Sequence, residues 1–168
     1  GLQGVPVIGR CNDDRIDVLA IEDSPVVLVR IDGPAARFDG AGEMVLEIRR
    51  DGTVVDANET ALTWLGYARE QIRGMALSAL DAALSPAVHR RMIAALDAQG
   101  AFRGEGRYRT RGGAEFPVDV VVQQAVHGAR EFLFVLARDI TDRKRIENDL
   151  AAQITERRVF EEQLQVAL

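Results

Sequence analysis

Phe132-Leu133-Phe134-Val135-Leu136-Ala137-Arg138-Asp139-Ile140-Thr141-Asp142 decides how the chain is read, because an apolar run of strand length passes directly into a charged helical segment. From Arg138 to Leu168 there is neither Gly nor Pro, so nothing in the sequence stops a helix once it has begun. Asp139 is placed to act as its N-cap. Asp142 adds a negative charge in the first turn, where free amides and the helix dipole favour one.

Downstream, the helix repeats itself: Ile140-Thr141-Asp142-Arg143 to Leu150 matches Ile154-Thr155-Glu156-Arg157 to Leu164 at an offset of 14 residues, two whole heptads. Ile146, Leu150, Gln153, Arg157, Phe160, Leu164 and Ala167 then follow one another at alternating spacings of four and three. That spacing is a coiled-coil seam with two polar interruptions, and a seam needs a second helix, here expected from a second copy of the chain. The competing reading is a solvated helix lying back on its own domain. The heptad offset and the near balance of charge around the seam favour pairing.

Upstream, two more strands are expected, Phe116 to Gln124 and, before Gly112-Gly113, Phe102 to Arg111. Phe116, Val118, Val120 and Val122 share one face; Pro117, Asp119, Val121 and Gln123 share the other. Before these, Ser85-Pro86 starts a helix that Gly100 ends, with Ser as cap and Pro in the first turn. Asn58 caps another, closed by Gly66, and a short one runs through Ile72 to Gly74. Met44, Leu46 and Ile48, the turn Asp51-Gly52 and Thr53 to Asp56 form a hairpin. The order is two strands, several short helices, three strands and a long helix. It implies an α+β fold, a five-stranded antiparallel sheet with the helices on one face.

Residues 1–42 are read as an N-terminal extension and linker, 43–140 as the domain and 141–168 as the C-terminal helix. Within the extension, Ile16 to Ile21 and Val26 to Ile31 are β-prone runs able to form a hairpin, and Ile31 to Gly42 is read as linker from its glycines and Pro34. The start at Gly1 without Met suggests a piece excised from a longer protein.

Composition narrows the function. A net charge of −5 leaves no basic surface large enough for nucleic acid to be a partner. No apolar run has the length of a membrane span, and no signal peptide is visible, so no membrane contact is expected within this chain. The single cysteine, Cys11, excludes an internal disulfide and a cysteine-rich metal site, and points to the cytoplasm. No catalytic centre assembles. There is no phosphate-cradling glycine loop followed by Lys, and Gly104-Glu105-Gly106-Arg107 lacks the third glycine of a dinucleotide site and is read as strand irregularity. With only His89 and His127, neither a zinc site nor a nucleophilic triad is expected, so the chain is not read as an enzyme.

Over about residues 43 to 142 the sequence resembles a PAS domain, or sensory box. The resemblance rests on Val54-Val55-Asp56-Ala57-Asn58, on Leu65-Gly66-Tyr67 followed by Ile72-Arg73-Gly74, on Arg111-Gly112-Gly113-Ala114-Glu115-Phe116-Pro117-Val118, and on Asp139-Ile140-Thr141 followed by Arg143-Lys144 and Glu147. Gly112 stands where the family usually has Asp, and Ala68 replaces a usual Ser or Thr cap. The resemblance implies the PAS fold and a sensory or dimerisation module of a bacterial multidomain signalling protein, such as a two-component histidine kinase or a diguanylate cyclase, with the effector elsewhere in the same polypeptide. A signal sensed in the pocket would reach the effector through Asp139, Ile140 and Thr141 and a coiled-coil homodimer with Ile146, Leu150, Phe160 and Leu164 in its seam.

The identity of a ligand stays open. A flavin adduct needs a cysteine in the helical region, which the chain lacks; a non-covalent flavin has only Trp64 to suggest it, and Trp64 is expected to pack against the core. His89 falls between Leu96 and Ile93 on the apolar stripe of its helix and is expected to point inward. Its position resembles that of the axial histidine in haem-binding PAS sensors of gas or redox state, which makes haem b a candidate cofactor. His89 would then be the iron ligand, Met92 and Ile93 would contact the porphyrin, and Arg107 would be a distal residue. The other alternative is a ligand-free PAS interaction module.

Overall fold

The computed structural model describes residues 11–12, 15–18, 27–32, 35–39, 43–127 and 130–167. Strands β1 (Cys11–Asn12), β2 (Arg15–Val18), β3 (Val27–Asp32) and β4 (Ala35–Asp39) form a four-stranded antiparallel sheet in chain order. The expected hairpin within the extension is β2 with β3, in the register Ile16 to Val29. The stretch from Ile31 to Gly42 is more than the linker it was read as, since Asp32 pairs with Ala35 and Leu28 with Asp39. Gly33-Pro34 thus separates two paired strands rather than two modules.

The second sheet begins with β5 (Met44–Ile48) and β6 (Val54–Ala57). Four helices follow: α1 (Glu59–Leu65), α2 (Arg69–Ile72), α3 (Leu77–Leu80) and α4 (Pro86–Gln99). Then come β7 (Ala101–Arg109), β8 (Glu115–His127), β9 (Arg130–Asp139) and the helix α5 (Thr141–Ala167). The sheet is antiparallel with the order β6-β5-β9-β8-β7. The expected α+β fold is therefore the one observed, with the last strand in the middle and its end leading straight into α5.

Local chemistry explains the boundaries. Asn58 Oδ1 accepts the Ala61 amide at 2.9 Å and Gly66 closes α1 at φ 76°, a left-handed conformation in which a Cβ is strained. Ser85 Oγ accepts the Val88 amide at 3.2 Å to start α4. The face of β8 carrying Val118, Val120 and Val122 lies in the core with Leu133 and Val135 of β9, and Leu62, Leu65, Ile72, Leu80 and Leu96 close it from the helices. Each such side chain contributes about 1.5–3 kcal/mol by leaving water.

Two buried polar residues join these layers. Asp56 accepts from Arg69 at 2.7 Å and Arg73 at 3.0 Å. Burial raises its pKa, yet the hydrogen bonds from Arg73, the Ala57 amide and Arg69 outweigh it and hold the carboxyl below its usual range. Asn58 is the second, and it binds β5 as well as capping α1: Oδ1 also accepts the Val45 amide at 3.1 Å, and Nδ2 donates to the Glu43 carbonyl at 2.9 Å.

Candidate functional site

The inward face of β7 carries Phe102, Gly104, Gly106 and Tyr108, and the two glycines leave it without side chains halfway along. Between this strand, β8 and α4 lies a cavity of about 400 Å³. Its walls include Leu77, Leu84, Val88, Met92, Val120 and Val122, with Asp81 and Tyr108 among them and Arg103 and Glu105 also bordering it.

Asp81 and Tyr108 face each other across an isolated antiparallel bridge, which sets their side chains side by side. Asp81 Oδ1 accepts the amides of Ala83 and Arg107, both at 2.9 Å. The Tyr108 ring meets Phe116 edge-on at 6.3 Å, and burial, with the Asp81 carboxylate adding to it, pushes the phenol well above its usual range. The hydroxyl therefore stays protonated.

A groove on the opposite face of the sheet shares Arg103, Gly104, Glu105 and Val120 with the cavity and holds the base of α5. Arg143 donates to Asp119 at 2.7 Å and to Glu105 at 3.2 Å, and Lys144 pairs with Glu105 at 2.8 Å. These groups are about half exposed, so each pair contributes roughly 0–1 kcal/mol. The anchor is weak enough to open.

At the junction itself, Asp139 Oδ1 accepts the Thr141 amide at 2.7 Å and the Thr141 hydroxyl at 2.5 Å. Ile140 is buried, and its amide donates to the Pro117 carbonyl at 3.0 Å, while its own carbonyl accepts the Lys144 amide. Ile140 thus occupies the cap position expected of Asp139, one residue later. Asp139 still serves the first orphan amide of the helix.

The four residues considered for haem are not brought together. Met92 lines the cavity, but His89, Ile93 and Arg107 are not part of its wall. The imidazole Nε2 lies 3.6 Å from where a Cβ on Gly52 would stand, so His89 faces the β5–β6 turn. The physical reason is the width of the stripe: Val88, Met92 and Ala95 face the cavity, and His89 sits about 100° further round. Arg107 reaches Glu115 at 2.8 Å with its side chain exposed, and Ile93 packs against the core. These residues do not fit a haem with His89 as axial ligand. Trp64 departs from expectation too: it is 48% exposed and leans on Phe116 with ring centroids 6.1 Å apart, outside the core and the cavity wall.

Among the described residues no cluster of His, Cys, Asp or Glu could hold a metal ion, and no helix is long and apolar enough to cross a membrane. Asp81 and Tyr108 were not singled out from the sequence. The signal available was Gly104-x-Gly106-x-Tyr108, glycines alternating on the face that holds a buried tyrosine, which marks missing volume rather than irregularity.

Comparison with known proteins places this geometry. The chain is similar to the methyl sulfide methyltransferase-associated sensor of Methanosarcina acetivorans, 27% identical over 111 residues, which take in 66% of this chain and 11% of that protein's length. Its fold is similar to the PAS domain of an HTR-like protein from Haloarcula marismortui, with a TM-score of 0.55 and 20% identity over 60% of this chain and 88% of that one. It is also similar to a PAS domain from a two-component sensor histidine kinase, with a TM-score of 0.51 and 22% identity over 59% of this chain and 86% of that one. The family model for the PAS domain matches residues 42–142, well over half of the chain. The chain belongs to the PAS domain family and carries a PAS sensor domain.

Proposed function

We propose that the chain is the sensory and dimerisation module of a larger signalling protein, taking up a small ligand beneath α4 and reporting its presence through α5. The observation that carries this reading is Glu105, which borders the cavity and also holds Arg143 and Lys144 of the outgoing helix. A change of occupancy that moves β7 alters the anchor of α5, whose first turn is otherwise tied to β8 through Ile140 and Pro117. The similar protein named as a sensor and the solved PAS domain of a sensor histidine kinase support an effector of that kind on the same polypeptide.

The helix is suited to carry the change onward. It has 27 residues, a length of about 40 Å, and none of them is buried in the single chain, so the reading in which it lies back on its own domain is not the arrangement found. Ile146, Leu150, Phe160 and Leu164 are 50–65% exposed. Large apolar side chains on a solvated helix favour a partner, and a second copy in a parallel coiled coil supplies one. Ile154, exposed beside the seam, adds to its apolar width.

Filling the cavity tests the relay. Ala95→Leu adds three carbons to its wall and is expected to change amide exchange several-fold at residues 143–147 while leaving α1 unchanged. Glu105→Gln is expected to remove that response. Equal exchange in wild type and Ala95→Leu throughout α5 would sink the proposed relay.

A further inference from the structure

The cavity contains two polar groups that the protein leaves incompletely served. Tyr108 is 0% exposed and its hydroxyl has no hydrogen-bond partner among the described residues. Asp81 is 7% exposed, its Oδ1 is satisfied by two backbone amides, and no cationic side chain among the described residues pairs with the carboxylate. Their side chains are neighbours across the bridge between residues 81 and 108. A carboxylate drawn out of water is stable only with an opposite charge or a full set of donors, and an unserved buried hydroxyl carries its own desolvation cost.

One ligand chemistry answers both needs. A protonated amine supplies the opposite charge for Asp81 and further N–H groups for the Tyr108 oxygen. A neutral alcohol serves the hydroxyl without balancing the charge, and an anion is repelled by Asp81. The remaining wall, Leu77, Leu84, Val88, Met92, Val120 and Val122, requires an apolar body, and about 400 Å³ lies in the range of small-molecule sites. Glu105 at the border adds a second negative charge on the way in. Resting on the sensory reading above, we propose that the cavity binds a small organic cation, a primary ammonium group on a compact apolar body, with the ammonium held by Asp81 and Tyr108.

The chain has three methionines, and of these Met92 alone is among the cavity-lining residues, so methyl-¹³C-methionine labelling of the full chain gives a local probe. Titration with benzylamine at neutral pH is expected to shift the Met92 methyl saturably. Benzyl alcohol should bind at least about tenfold more weakly, and benzoate should not bind. Asp81→Asn keeps an oxygen for the Ala83 and Arg107 amides and loses only the charge, so it should abolish the preference for the amine over the alcohol. Tyr108→Phe keeps the ring and should weaken benzylamine several-fold in a folded protein. The inference is overturned if benzyl alcohol binds as tightly as benzylamine, if Asp81→Asn leaves the amine affinity unchanged, or if no probe moves Met92. The response of α5 to Ala95→Leu is read without any ligand and stands or falls separately.

Discussion

Asn58→Ala is expected to lower stability by about 3–5 kcal/mol, the largest loss of any single polar substitution in the domain. Asn58 is 5% exposed and makes three hydrogen bonds, each to backbone: it accepts from Ala61 and Val45 and donates to the Glu43 carbonyl. Loss of an N-cap alone costs roughly 1 kcal/mol. The Val45 amide and Glu43 carbonyl are then left short of partners where water does not readily replace them, at about 1–3 kcal/mol for each unserved group. For a domain of this size the melting temperature should fall by roughly 15–30 °C. Asn58→Asp keeps both acceptor bonds and loses only the donor, so its loss should be intermediate. A urea titration that finds Asn58→Ala within about 1 kcal/mol of wild type would show that α1 is not fastened to β5 in this way.

Gly106→Ala is expected to cost about 2–4 kcal/mol although it adds a single methyl group. A Cβ at this position would stand 2.6 Å from Asp81 Oδ2 and 3.1 Å from both Asp81 Cγ and Val118 Cγ2. Asp81 cannot swing aside freely, because its other oxygen holds the backbone amides of Ala83 and Arg107. The methyl group therefore breaks at least one of those bonds or forces β7 away from β8. Gly104→Ala is the matched control: its nearest contacts, at 3.2 and 3.3 Å, are ring atoms of Phe102, which is only partly buried and can rotate. That substitution should cost under about 1.5 kcal/mol. Thermal unfolding of the two variants side by side decides the point, and equal losses would contradict the packing described.

The contrast between these glycines also measures what the sequence makes legible. Periodicity and punctuation were enough for the element order: Asn58, Gly66, Ser85-Pro86 and Gly100 act locally, through caps that need no tertiary context. The alternation of Val118, Val120 and Val122 named the core face of β8 for the same reason. Helix α3 has four residues, too few to express a period, and was not distinguished. The direction of His89 depended on which edge of a wide apolar stripe faces the cavity, which only the packing of α4 on β7 and β8 decides. Trp64 lies on an outer turn of α1, where size and apolarity did not imply burial. The pairing of Asp81 with Tyr108 joins residues far apart in the chain through one bridge, with no local signature.

Mechanistically, the account separates a rigid part from a yielding one. The cavity wall belongs to a core whose side chains shift only together, whereas the anchor of α5 consists of half-exposed ion pairs of small individual worth. A modest movement of β7 therefore acts on its weakest attachment, at Glu105. Two arrangements of a helix pair that differ by a few kcal/mol would respond to such a bias.

The most direct measurement is the distance between nitroxide labels at position 156 in two copies of the chain, by pulsed electron paramagnetic resonance, using Glu156→Cys with Cys11→Ser. The account predicts a narrow interchain distance, as expected of paired helices with axes about 10 Å apart, and a shift of that distance when Ala95→Leu fills the cavity. An absent interchain signal would contradict the pairing of α5, and a distance identical with and without Ala95→Leu would contradict its coupling to the cavity.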